Sequence, residues 1–205
     1  MKNIVLIIIS QLILSIAVCQ TDTGSIRALE TLIRQQHPDG TIFYTDKIDS
    51  AIILRIKQSL KGRKFISQAI SGVYDTIYLT KKEKLHLDSN INSLFSFTWK
   101  DNLFQNSKRL PKDSMWARIT YEMKKTQALI KSDTAKASIR KHLDEMYKNA
   151  NTFQFSPLIY FRNKSLFLVY ILRFCGGDCG VEELTFYKFQ DGKYKTHIRV
   201  IRAAF

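Results

Sequence analysis

Two cysteines near the C-terminus are the residues best placed to do chemistry. The chain reads Phe174-Cys175-Gly176-Gly177-Asp178-Cys179-Gly180, between two strand-like stretches. Two thiols with three residues between them can close a disulfide, act as a redox pair or contribute to a metal site. The intervening glycines let the backbone turn tightly and take positive φ. In an oxidising compartment the expected state of Cys175 and Cys179 is a structural disulfide at a hairpin tip. So short a loop yields roughly 2 kcal/mol in the chain-entropy account, before any strain. Thioredoxin-like redox pairs have two intervening residues and sit at a helix N-terminus, which lowers the thiol pKa; strands flank this pair. Asp178 could add a metal ligand, but no nearby His completes a tetrahedral set. No metal and no cofactor is expected.

The third cysteine bears on the compartment. Met1-Lys2-Asn3 is a short positive head, Ile4 to Val18 an apolar run, and Ala17-Val18-Cys19 puts small residues before a cut ahead of Gln20. This is the layout of a secretory signal. The run is shorter than the roughly 20 residues that span a bilayer, which ranks an uncleaved anchor low. Ile16-Ala17-Val18-Cys19 also resembles a bacterial lipobox, with Val18 where Gly, Ala or Ser is usual. Cys19 is therefore a candidate lipidation site, and the product is either freely diffusing or tethered. Residues 1–19 read as the signal and residues 20–205 as a single α+β domain. The expected location is the periplasm or cell envelope.

Other chemistry-bearing residues form no known constellation. His37, His86, His142 and His197 lie in no catalytic or metal spacing. His142-Leu143-Asp144-Glu145 reads as a polar helix face. Glu182 and Glu183 are adjacent in a predicted strand, so they point to opposite faces and share no site. There is no Gly-rich phosphate loop and no G-x-S-x-G elbow, and no Ser is placed beside a His and an acid. No catalytic residue is assigned.

The formal net charge is +14, from 32 Lys and Arg against 18 Asp and Glu. Such a protein is drawn to anionic surfaces. Nucleic acid is the usual inference from this basicity, yet an exported protein seldom meets it, so none is expected. An anionic envelope component or an acidic protein is the better partner class. Membrane contact is expected only through the signal or a lipid anchor. The basic clusters Lys61-Gly62-Arg63-Lys64, Lys81-Lys82-Glu83-Lys84, Lys124-Lys125 and Arg140-Lys141 are scattered, as solvated helix faces and turns would be.

The elements that must hold these residues follow from periodicity. Ile26, Leu29, Leu32 and Ile33 mark a helix from Ser25 to Gln36, with Ser25 as N-cap and His37-Pro38-Asp39-Gly40 ending it. Thr41 to Tyr44 is strand-like. Ile48, Ile52, Ile56 and Leu60 predict a helix from Asp46 to Lys61. Phe65, Ile66, Ala69, Ile70 and Val73 suggest a further short helix. Asp75 to Leu79 is extended, and Thr80-Lys81-Lys82-Glu83 matches a capping box opening a helix to about Leu94. Phe95 to Pro111 is irregular, anchored by Trp99, Leu103 and Phe104. Ser114–Lys131 and Asp133–Lys148 read as helices.

From Thr152 the period changes. Phe153 to Phe161 forms a strand interrupted by Pro157. Ser165 to Phe174 is almost wholly apolar, so it is expected to be central and covered on both faces. Val181 to Phe189 follows, and Asp191-Gly192 is a hairpin signal. Tyr194, Thr196, Ile198 and Val200 alternate with polar residues as a one-sided strand. The expected fold is α+β, an N-terminal helical region followed by a C-terminal four-stranded antiparallel β-meander.

The stretches Phe155-Ser156-Pro157-Leu158-Ile159-Tyr160-Phe161, Leu168-Val169-Tyr170, Cys175 to Gly180 and Leu184 to Lys193 resemble a family of small exported bacterial proteins with a C-G-x-x-C-G hairpin. Ile77 to Glu83 and Trp99 to Ser107 are similar to it too, and Tyr194 stands where the family has Trp. The family has no assigned activity, so the resemblance implies export and the meander and carries no site residue across. The leading functional expectation is a non-enzymatic binding or interaction module. The alternatives are an enzyme whose site is assembled from distant residues and a thiol–disulfide protein using Cys175 and Cys179.

Overall fold

A computed structural model describes residues 22–38, 40–67, 75–110, 151–176 and 179–204 of the chain. The predicted helices 114–131 and 133–148, together with Cys19, Asp178 and His142, lie outside the described residues. Helices and strands alternate as α1 (Thr23–Gln36), β1 (Ile42–Thr45), α2 (Ser50–Ser59), β2 (Lys64–Ile66), β3 (Thr76–Tyr78), α3 (Lys81–Ser93) and β4 (Ser107–Leu110). Five strands then follow: β5 (Thr152–Phe155), β6 (Ile159–Phe161), β7 (Leu166–Gly176), β8 (Cys179–Gln190) and β9 (Lys193–Ala204).

The expected four-stranded antiparallel meander behind a helical region is not the architecture. The described chain is mostly β, a seven-stranded mixed sheet in the order β4-β1-β5-β7-β8-β9, with β6 also pairing β7. β1 runs parallel to both β4 and β5. The N-terminal half thus contributes strands to the sheet as well as helices to its faces. β1 falls where Thr41 to Tyr44 is strand-like in the sequence, whereas β4 lies in the stretch expected to be irregular; at four residues each neither gives a period that reveals its partner. A separate antiparallel ribbon pairs β2 with β3, where a short helix from Phe65 was expected.

β7 is the centre of the sheet, and its side chains alternate between two cores. Leu166, Leu168, Tyr170 and Leu172 join Ile53 and Ile56 of α2, Leu87 and Ile91 of α3, and Phe65 and Ile77 of the ribbon. Phe167, Val169 and Ile171 join Ala28, Leu29, Leu32 and Ile33 of α1, with Trp99 and Phe104 from the α3–β4 connection. A strand buried on both faces needs an unbroken apolar run, which is what Ser165 to Phe174 supplies. The Trp99 indole N–H donates to Phe155 O at 2.9 Å, fully buried, and the Tyr44 hydroxyl to Lys100 O at 2.6 Å, partly buried, so the irregular connection is pinned at two points.

Local signals set the ends of several elements. Asp22, rather than Ser25, caps α1, its carboxylate accepting from Ser25 N at 2.6 Å. The capping box forms as Glu83 N donates to Thr80 Oγ1 at 3.1 Å and Thr80 N to Glu83 Oε2 at 2.8 Å. Asp191 and Gly192 both take positive φ, 54° and 72°, in the two-residue turn between β8 and β9.

The break at Pro157 is repaired by its neighbour. Pro157 has no N–H to give the ladder, and β5 and β6 pair separately with two parts of β7. Between them the Ser156 hydroxyl accepts from Tyr170 N at 3.0 Å while Ser156 N donates to Tyr170 O at 3.0 Å. A side-chain oxygen thereby stands in for a ladder carbonyl.

β9 does not present the expected single apolar face. Leu184 pairs Ile201 and Thr185 pairs Arg199, leaving Val200 as an extra residue; Phe186 pairs Ile198 and Tyr187 pairs Thr196, leaving His197 as another. Each bulge resets the alternation. Tyr194 therefore packs with the α1-side core, whereas Ile198, Val200 and Ile201 pack on the side of α2 and α3.

Candidate functional site

The bulged stretch of β9 and the strand β2 enclose a groove of about 550 Å³. Lys64, Ser67, His197, Arg199, Val200 and Arg202 are among its lining residues. β2 is held over the sheet because Phe65 is buried against Phe186, with ring centroids 5.2 Å apart. The bulges turn His197 and Val200 toward this ribbon. At neutral pH the groove carries three cationic side chains, Lys64, Arg199 and Arg202.

His197 is the titratable centre of the groove. Its Nδ1 lies 2.6 Å from Asp75 Oδ2. Burial disfavours the imidazolium and lowers the His197 pKa; Asp75 pulls the other way, and Lys188 and Arg162 add to the lowering. Burial wins, because the ring is mostly covered while Asp75 is more than half exposed and its charge is screened. The ring is thus held neutral near pH 7, and its Nε2 is the nitrogen that Asp75 does not engage. Ser67 reaches the same groove. Its hydroxyl accepts from Asp75 N at 3.0 Å and makes no hydrogen bond to His197. Sequence reading placed no Ser beside a His and an acid. The Ser67–Asp75 contact depends on β2 pairing with β3 and the His197–Asp75 pair on the ribbon meeting β9, and no local spacing announces either.

The remaining sequence-selected residues are dispersed. His37 is buried at the end of α1, its Nδ1 3.1 Å from Asn151 Nδ2. His86 stands edge-on to Phe161, with centroids 5.8 Å apart. Glu182 and Glu183 do point to opposite faces. Glu182 is buried and pairs with Arg55 of α2. Glu183 lies 3.6 Å from Arg199 and accepts from Gln36 Nε2 at 3.4 Å. Beside Glu182, the fully buried Tyr170 hydroxyl has its pKa raised by burial first and by the Glu182 charge next. This group sits under α2: Glu182 and the Tyr170 phenol are buried, while Arg55 reaches them from a half-exposed position on the helix.

The backbone of Cys175 lies in β7 and that of Cys179 begins β8, opposite Gly176. The pair therefore brackets a β-hairpin tip. Their side chains lie outside the description, so the disulfide expected from the sequence rests on the sequence alone. Among the described residues no helix is long and apolar enough to cross a membrane.

Comparison of the chain with protein-family models, with curated proteins and with solved structures finds no match in any of the three.

Proposed function

We propose that the protein is an exported, cell-envelope binding module that takes an anionic partner, with the groove between β2 and β9 as its site and without catalysing a reaction. The observation that carries this reading is the clustering of Lys64, Arg199 and Arg202 around one groove in a chain of net charge +14. Cations at close quarters raise the local concentration of an anionic ligand and speed its capture. The bulged edge of β9 adds backbone that β8 leaves unpaired, suited to an acidic segment of a partner or envelope polymer. The test is titration of the chain from Gln20 onward with a fluorescent oligo-glutamate and, as control, an oligo-lysine. Salt-sensitive binding of the acidic probe alone supports the reading; equal binding of both, or of neither, contradicts it.

A second reading is favoured by the Asp75–His197 pair. An imidazole oriented by a carboxylate and kept neutral has the make-up of a general base, and Ser67 lines the same groove. Hydrolysis of fluorogenic ester or peptide substrates that disappears in His197→Ala would establish this reading. No turnover by the wild-type chain would remove it. The Cys175–Cys179 disulfide belongs to the proposal as a structural staple. Intact mass of the native exported product, lighter by two hydrogens than its reduced form, supports it, and free thiols in that product would overturn it.

A further inference from the structure

A different surface lies where the chain enters the fold. Three parts of the chain meet at one end of the sheet: Asp22, the N-cap of α1, the turn of residues 162–165 between β6 and β7, and the Asp191-Gly192 turn between β8 and β9. Lys164 Nζ donates to Asp22 Oδ2 at 2.8 Å, tying the start of the fold to the first turn. Phe189 N donates to Ser165 O at 3.0 Å, tying the two turns together. Arg162, Asn163 and Lys164 take positive φ in succession, 51°, 53° and 67°. Ser165 Oγ and the Arg162 side chain hold that turn, the latter donating to Tyr78 O at 2.7 Å.

The side chains at this end are cationic and aromatic. Phe189 is 48 % exposed. It packs on Tyr194 at 5.2 Å, Tyr194 on Phe167 at 5.2 Å and Phe167 on Tyr160 at 5.6 Å, so an aromatic row runs from the core out to the surface. Lys188, Lys193 and Lys195 stand on the same β8–β9 hairpin, Lys188 and Lys195 paired on the face opposite Phe189, and Arg162 and Lys164 stand on the turn tied to it. The nearby acids are each engaged: Asp22 by Lys164, Glu83 by Arg162 and Asp191 by Lys195. Lys188 and Lys193 are left without an acidic partner among the described residues. An exposed aromatic amid unpaired lysines is the composition of a surface that lies on anionic lipid.

Chain length supplies the second argument. Only Gln20 and Thr21 separate Cys19 from Asp22, a reach of about 10 Å. Any membrane attachment of Cys19 brings this end of the sheet, and not the other, to the bilayer.

We propose that the sheet end formed by the residue 162–165 turn, the Asp191-Gly192 turn and the N-terminus of α1 docks onto an anionic bilayer surface. Phe189 enters the headgroup layer while Lys188 and Lys193 pair with lipid phosphates. β7 then runs away from the membrane for 11 residues, about 35 Å, and carries the cysteine hairpin at its far end. The groove cations Arg199 and Arg202 take no part in this docking, although Lys188 and Arg162 also act on His197 of the groove.

The test is co-sedimentation of the chain from Gln20 onward, which holds every described element, with phosphatidylglycerol-containing vesicles and with pure phosphatidylcholine vesicles. The expected result is salt-sensitive binding to the anionic vesicles alone. Lys188→Glu with Lys193→Glu should weaken it at least about tenfold, and Phe189→Ser should weaken it at constant charge. The groove variant Arg199→Glu with Arg202→Glu should leave it unchanged, with circular dichroism checking that each variant is folded. Absence of binding to anionic vesicles overturns the proposal. So does equal loss from the groove variant, which would show a response to net charge rather than to this surface.

Discussion

At the scale of single residues, His197 is where folding and function meet. The fold lowers its pKa below the ordinary value of 6.5, chiefly through burial. Above that value both folded and unfolded chains hold the ring neutral, and the groove is fully formed. As pH falls below it, the unfolded chain takes up the proton first, so stability declines until the folded ring also protonates. Thermal unfolding followed from pH 8 to pH 5 should therefore show a falling midpoint below about pH 6.5, and His197→Gln should flatten that part of the curve. A midpoint that rises on acidification would mean that Asp75, not burial, dominates. Glu182 and Glu183 were separable from sequence because strand geometry alone sends neighbours to opposite faces. The partner of each, Arg55 and Arg199, was not, because such pairs join residues far apart in the chain.

Among the elements, the β5–β6 break shows how a sequence that looks wrong for a strand can still sit inside a sheet. Pro157 removes a donor, and Ser156 restores the lost connection to Tyr170 with its side chain. Ser156→Ala would leave the Tyr170 amide buried without an acceptor, a loss of about 1–3 kcal/mol. Chemical denaturation should read this as a lower midpoint with an unchanged slope; a neutral substitution would mean that the hydroxyl does not hold the strand. Elements with short-range signals were legible beforehand: the Thr80–Glu83 capping box, the Asp191-Gly192 turn and the apolar run of β7 each lie within a few residues of chain. β2 was read as helix because Phe65, Ile66, Ala69 and Ile70 fit helical spacing, whereas its pairing with β3 brings Lys64 opposite Tyr78. The bulges of β9 were illegible for the same reason, since one extra residue against β8 leaves no mark in the composition of β9.

For the whole molecule, the mixed sheet changes what the helices are for. α1 covers one face and α2 with α3 the other, so the N-terminal half encloses the apolar strands instead of forming a separate layer ahead of them. β1 was legible as a strand, but its place in the sheet was not, because its parallel pairing with β5 joins segments more than a hundred residues apart; β4, in the stretch expected to be irregular, pairs β1 across some sixty residues, and nothing in four residues of strand encodes so distant a partner. β9 is the sheet edge, as the last strand of a meander would also be, but here the β2–β3 ribbon lies over it. Its bulges, its cations and the overlying ribbon then create a groove that a simple meander would lack. The most direct measurement of the central claim is the affinity of the oligo-glutamate probe for wild-type protein and for Arg199→Glu with Arg202→Glu. The expected result is salt-sensitive binding weakened by at least about tenfold in the variant, given that a charge reversal across an interface costs several kcal/mol. Undiminished affinity in a folded variant would show that the groove is not the site.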